Sequence, residues 1–239
     1  MSDALLDVRG LKVGYGDGRL IVDGVDLAVE AGEVVTMIGQ NGAGKSTVLR
    51  GIYNMARERH GEIRLAGEPV FALPPHRLLG AGLAYIPQDH TVFPKLTIAE
   101  NLAMGGYLIE DRTLLAQRIA AVEAMFPVLA ERWAQYAASL SGGEQRKLEI
   151  VSVLMTKPRI LLLDEPASGV IPTLLGTLRD VLRRLYDERQ IVFLVVEHNM
   201  EFIMSLASHI VVMHQGKILA QGAPTQVQSD PQVIEAYLG

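Results

Sequence analysis

Cysteine is absent from the 239 residues. That excludes disulfides, thiolate zinc sites and cysteine nucleophiles, and it suits a reducing compartment. Long apolar runs are also missing. The strongest, at 160–163 and 191–196, fall far short of the roughly 20 residues a membrane helix needs, so any membrane role has to come through a partner. Both runs suit strands of a parallel sheet, which read as continuous aliphatic stretches because both faces are buried. Positive charge is not in excess: the formal net charge is −5, which gives bulk electrostatics no reason to expect nucleic acid as a ligand. The pair Arg183-Arg184 reads as a solvated helix face. The first seven residues lack the basic start of a targeting peptide. What is present is a globular balance, 49% hydrophobic and 21% charged, in a chain long enough for one large domain or for a core with an inserted subdomain.

The first 30 residues alternate apolar and polar positions between turn signals such as Gly14-Tyr15-Gly16-Asp17-Gly18, the pattern of antiparallel hairpins. From Glu33 a buried strand (34–38) runs into a glycine-rich loop and then a helix from about Ser46. Short strands and turns are expected between Arg59 and Tyr85, with Pro74-Pro75 breaking any longer element. From about Thr97 to Lys157 the chain turns rich in Ala, Leu, Glu and Arg, and Ile119, Val122, Met125 and Phe126 make a helix-spaced apolar stripe. Strand and helix then alternate from Arg159: strand 160–163, helix 174–189, strand 191–196, helix 200–207, a hairpin turning at Gln215-Gly216 and a short final helix. Alternation on both sides of a helical insert predicts an α/β core of discontinuous topology.

Gly39-Gln40-Asn41-Gly42-Ala43-Gly44-Lys45-Ser46 fits the phosphate-loop pattern G-x-x-x-x-G-K-[ST]. Glycines let the backbone turn so that successive N–H groups face one concavity. The following helix adds its N-terminal donors and dipole. Lys45 supplies charge to the outer phosphates of ATP, and the Ser46 hydroxyl can ligate Mg²⁺. Asn41, Ala43 and Thr47 complete the expected nucleotide contacts. A second element, Ile160-Leu161-Leu162-Leu163-Asp164-Glu165, is a buried strand ending in two carboxylates. Asp164 can hold Mg²⁺ beside Ser46; Glu165, pointing to the other side of the strand, can polarise an attacking water. A third, Leu140-Ser141-Gly142-Gly143-Glu144-Gln145, precedes a helix, so Ser141 and the amides of Gly142 and Gly143 form a second anion-binding helix start.

With these three motifs in order, the sequence resembles the ABC-type ATPases over essentially its whole length. The resemblance implies a P-loop α/β fold with a mixed-sheet core and antiparallel β subdomain (1–88 and 159–239) and an inserted helical signature subdomain (89–158). It implies that Tyr15 stacks on adenine. It further implies that Gln88, in Tyr85-Ile86-Pro87-Gln88, links core to helical subdomain and senses Mg²⁺, and that His198, in Val195-Val196-Glu197-His198, contacts the γ-phosphate. His60, His76, His90, His209 and His214 fit no such place. Two such cassettes pair head to tail, so the resemblance implies a second cassette as partner, the partner's Ser141 completing each site and Glu165, Lys45, Gln88 and His198 forming the catalytic set. Ile171 stands where the family commonly has an aspartate that communicates across the dimer.

Within the family, Gly82–Gln88, Val92–Leu102, Glu197-His198-Asn199-Met200 and the terminal Tyr237-Leu238-Gly239 look like branched-chain amino acid uptake cassettes. Urea and short-amide importers belong to the same group, and the lipopolysaccharide-export cassette is the nearest rival. That resemblance implies transmembrane permease subunits, docked near Asp89–Lys95 with Phe93 as anchor. It also implies an extracytoplasmic solute-binding protein, and a peripheral position on the cytoplasmic side of the inner membrane. Other classes fit less well: repair cassettes carry long coiled coils, translation cassettes are fused in pairs, and a small-molecule kinase has no use for 140–145. The last helix leaves no room for an appended regulatory domain.

Overall fold

A computed structural model describes residues 4–16, 18–89 and 91–238. Asp17 of the first turn, His90 and the terminal Gly239 lie outside the described residues. The first half of the chain gives β1 (Leu6–Gly14), β2 (Leu20–Val29), β3 (Val34–Gly39), α1 (Lys45–Ile52), β4 (Glu58–Leu65), β5 (Glu68–Pro69), α2 (Pro75–Gly80) and β6 (Leu83–Ile86). Next come α3 (Ile98–Gly105), α4 (Arg112–Met125), α5 (Pro127–Ala130) and α6 (Gly142–Val153). The chain closes with β7 (Ile160–Asp164), α7 (Pro172–Arg189), β8 (Val192–Val196), α8 (Met200–Leu206), β9 (His209–His214), β10 (Lys217–Gly222), α9 (Pro224–Gln228) and α10 (Pro231–Leu238).

Two sheets result. One is antiparallel, in the order β2-β1-β4-β5; the other is mixed, β10-β9-β3-β8-β7-β6. In the second, β9, β3, β8, β7 and β6 run parallel and only β10 is antiparallel. The period of two explains why its strands are aliphatic throughout. Val35 and Met37, Ile160 and Leu162, and Val192, Leu194 and Val196 enter a core shared with the antiparallel sheet and with Val48, Leu49 and Ile52 of α1. Their neighbours Val34, Leu161, Leu163, Phe193 and Val195 point the other way, into a core shared with α7 and the helices of the insert.

The insert starts and stops its helices with recognisable chemistry. Thr97 caps α3 in a capping box with Glu100, and Asp111 caps α4 through the amides of Thr113 and Leu114. Val122, Met125 and Phe126 of the expected stripe are buried and Ile119 packs against them. One local expectation needs correction. Pro74-Pro75 does not merely break the chain: Pro75 opens α2 at its first position, where a missing N–H costs nothing and the fixed φ suits the helix. Arg183-Arg184 lies on an exposed helix face, as expected, and both side chains also reach neighbouring elements. Arg183 donates to the Ser205 carbonyl and Arg184 to that of Met125, each at 2.6 Å, strapping α7 to α8 and to α4.

Register brings four strand ends level. Ile86 lies opposite Leu163, Asp164 and Met37 both lie opposite Val196, and Gly39 lies opposite Met213. The segments leaving β3, β6, β7 and β8 therefore emerge side by side at the carboxyl edge, where ligands of open parallel sheets collect.

Candidate nucleotide site

The loop after β3 is shaped by close packing. A Cβ on Gly39 would lie 2.4 Å from the Met213 carbonyl oxygen, so only glycine passes. Gly44 occupies the left-handed region (φ 100°) as the residue before α1. The amides at the start of α1 lack intrahelical acceptors by construction and point outward with the dipole's positive end. Lys45 is buried, and its Nζ donates to the carbonyls of Gly39 at 2.8 Å and Gln40 at 3.1 Å. Burial lowers its pKa, while the nearby Glu165 and Asp164 carboxylates oppose that shift.

The two acids at the end of β7 diverge. Asp164 is buried and accepts from the Ser46 hydroxyl at 2.8 Å and the Tyr85 hydroxyl at 3.1 Å. Glu165 has left the strand with φ 47°, and its amide donates to Val196 at 2.8 Å. That turn swings its carboxylate to a different group of partners. Gln88 Nε2 donates to Glu165 Oε2 at 2.8 Å, and His198 Nδ1 stands 3.7 Å from the same oxygen. Tyr15, half exposed, holds its hydroxyl 3.4 Å from Thr47 Oγ1 at the flank of α1. Lys45, Ser46, Gln88, Asp164, Glu165 and His198 thus share one edge.

Ser141 is the N-cap of α6, whose first turn already includes Gly142, Gly143 and Glu144. Its hydroxyl accepts the Glu144 amide, and Glu144 in return accepts the Ser141 amide at 2.8 Å. The Ser141 amide, helped by Arg132, holds the Glu144 pKa below its usual range. The Gly142 backbone lies against the 167–171 segment, where a Cβ would come 3.4 Å from the Gly169 carbonyl oxygen.

Three contributors were not picked out from the sequence. Tyr85 sits on β6 opposite Leu162, its pKa raised by burial and then by Asp164. Arg146, 1% exposed, pairs with Glu149 at 2.8 Å and donates to the backbone carbonyls of Pro87 (3.0 Å), Gln88 (3.2 Å) and Glu165 (3.2 Å). Glu149 also accepts the Thr91 amide at 2.6 Å. A buried charged pair at i,i+3 of a helix was the available signal. Glu197 is an acid following an aliphatic strand, as Asp164 does, and is fully buried.

The donor set fits a hard divalent cation. Asp164 presents two oxygens that meet only neutral hydroxyls in the contacts above, with Ser46 as a further oxygen. No cluster of three or more His, Cys, Asp or Glu capable of holding a metal occurs among the described residues.

Residues 22–168 match the ABC transporter family, and residues 217–239 match the branched-chain amino acid ATP-binding cassette transporter family. The chain is 39% identical to the high-affinity branched-chain amino acid transport ATP-binding protein BraF of Pseudomonas aeruginosa, covering 100% of this chain and 99% of that protein. It is 38% identical to BraG of the same organism over 94% of this chain and 95% of that one. The lipopolysaccharide export system ATP-binding protein LptB of Haemophilus influenzae is 33% identical, covering 99% and 98%. A crystal structure of the ADP conformation of an ATP-binding cassette of an ABC transporter superposes with TM-score 0.86 at 28% identity, covering all of both chains. The protein belongs to the ABC transporter family and resembles its branched-chain amino acid ATP-binding cassettes.

Proposed function

We propose that this cassette hydrolyses ATP to power an importer of branched-chain or chemically related amino acids, working on the cytoplasmic face of the membrane beneath permease subunits. The observation that carries the catalytic part is the divergence of Asp164 and Glu165. One carboxylate joins Ser46 at the phosphate loop, while the other faces Gln88 and His198. Lys45 leaves its loop carbonyls for the outer phosphates, and the loop amides hold the rest of the triphosphate. Tyr15 offers its exposed ring to the adenine. Ser46 and Asp164 would hold Mg²⁺, with Gln88 beside them, and that ion would offset charge on the β- and γ-phosphates. Glu165 takes a proton from water as its oxygen bonds to the γ-phosphorus and the bond to ADP breaks. His198 keeps the γ-phosphate and the water in line.

A single chain holds one phosphate loop and one Ser141–Gly143 helix start, so two cassettes complete two sites. Residues 89–158 act as the unit presenting Ser141 to the partner, and ATP holds the pair closed until it is cleaved. Phe93, 48% exposed, is the anchor offered to the permease; a solute-binding protein outside the membrane delivers cargo to those subunits. No nucleic acid takes part. The test is uptake of labelled leucine, isoleucine and valine by cells lacking the gene, restored by the wild-type chain and not by Glu165→Gln. Unchanged uptake with reduced surface lipopolysaccharide would favour the export reading instead.

A further inference from the structure

We propose that Glu197 is a positioning residue that ties the switch loop carrying His198 to the 167–171 segment, and so sets His198 by the state of the signature helix start. The inference rests on the hydrolytic reading above. Glu197 has no exposed surface, yet both carboxylate oxygens are used. Oε1 accepts the Ala167 amide at 2.9 Å; Oε2 accepts the amides of His198 at 2.7 Å and Asn199 at 2.9 Å. Three N–H groups from two separate loops thus converge on one buried carboxylate. A buried carboxylate stripped of its donors is expensive, so these loops cannot separate cheaply while Glu197 is present.

The two ends of this link both bear on ATP. At one end Asn199, held by Glu197, caps α8 through the Phe202 amide at 2.9 Å, which fixes the loop from both sides of His198. At the other end, the segment begun at Ala167 runs to Gly169, whose carbonyl packs beside Gly142. Within a single chain the contacts therefore run from the Ser141–Gly143 face, through Gly169 and Ala167, to Glu197 and His198. Movement of that face on meeting a partner cassette is passed to the histidine. Ile171, lacking any hydrogen-bonding group, cannot carry the message across the dimer, and Glu197 carries it within the chain.

The experiment compares single-turnover phosphate release by the purified full chain as wild type, Glu197→Ala, Glu197→Gln, His198→Ala and the Glu197→Ala/His198→Ala double variant. A fluorescent ATP analogue measures affinity. Glu197→Ala should slow release about tenfold or more through misplacement of His198, with nucleotide affinity within about threefold of wild type. The double variant should be no slower than His198→Ala, because both changes remove one function. Glutamine keeps the volume but only one acceptor oxygen; it should fall between wild type and alanine, and it decides the question if alanine does not fold. Release within about twofold of wild type in both Glu197 variants, or a double variant whose loss equals the product of the singles, overturns the proposal. An inactive wild type would instead refute the hydrolytic reading. Exchange of the Ala167, His198 and Asn199 amides then still decides the link: Glu197→Gln must speed it, and unchanged exchange sinks it.

Discussion

Removing Arg146 separates two roles that one side chain combines. Its pair with Glu149 is 1% exposed on both sides, and its remaining bonds run to the carbonyls of Pro87, Gln88 and Glu165. One guanidinium nitrogen, Nε, is buried with no acceptor, so the arrangement already carries a desolvation cost. Breaking a buried pair by deleting one partner costs about 3–5 kcal/mol. At about 2–4 °C per kcal/mol for a chain of this size, Arg146→Met should melt roughly 6–20 °C lower. The double variant Arg146→Met/Glu149→Gln removes both charges and keeps an acceptor for the Thr91 amide. It should recover most of that stability, because neutral packing often matches a buried ion pair. Its turnover should nevertheless stay about tenfold low, since nothing then holds the Gln88 and Glu165 backbones to α6. Urea denaturation and phosphate release measure the two quantities separately. A wild-type urea midpoint for Arg146→Met would refute the energetic argument, and a double variant regaining full turnover would refute the clamp.

Tyr85→Phe deletes the hydroxyl donating to Asp164 and should cost about 1.5–3 kcal/mol as a hydrogen bond to a charged group, with a higher Mg²⁺ requirement for hydrolysis; a magnesium titration of turnover checks it. Glu144 has a folded pKa below its ordinary 4.5, so its stabilisation is complete above that value and is lost as pH falls through the folded pKa. The gap in urea midpoint between wild type and Glu144→Gln should therefore be constant from pH 5 to 7 and close in stronger acid; a gap that widens there contradicts the assignment. Ile171 is 59% exposed and is the N-cap of α7 without a side-chain cap, so Ile171→Asp should stabilise the fold by about 0.5–2 kcal/mol while sharpening the dependence of turnover on ATP concentration. A turnover curve that does not change would remove Ile171 from any part in coupling.

The fold was legible where burial on both faces leaves no polar residue to confuse the pattern. β3, β7 and β8 appeared as aliphatic runs, and the helical insert through its composition and the apolar stripe Ile119, Val122, Met125 and Phe126. The phosphate loop and the acids after β7 were legible because short-range backbone geometry demands those residues in that order. The supports were not. Arg146, Glu149 and Tyr85 act on partners 19 to 79 positions away, and a charged helix residue looks solvated until the chain folds over it. Glu197 closes an aliphatic strand, but sequence does not show that its side chain turns inward onto the amides of Ala167, His198 and Asn199. Pro75 misled because proline ends one helix and begins another with the same rigid ring.

In the proposed mechanism Glu165 drives cleavage in a site two chains build together. Glu165→Gln incubated with Mg²⁺ and ATP, then separated by size-exclusion chromatography with its nucleotide extracted, tests this most directly. The account predicts a two-chain species holding unhydrolysed ATP. A single-chain species, or a pair that has converted its ATP to ADP at the wild-type rate, would contradict it.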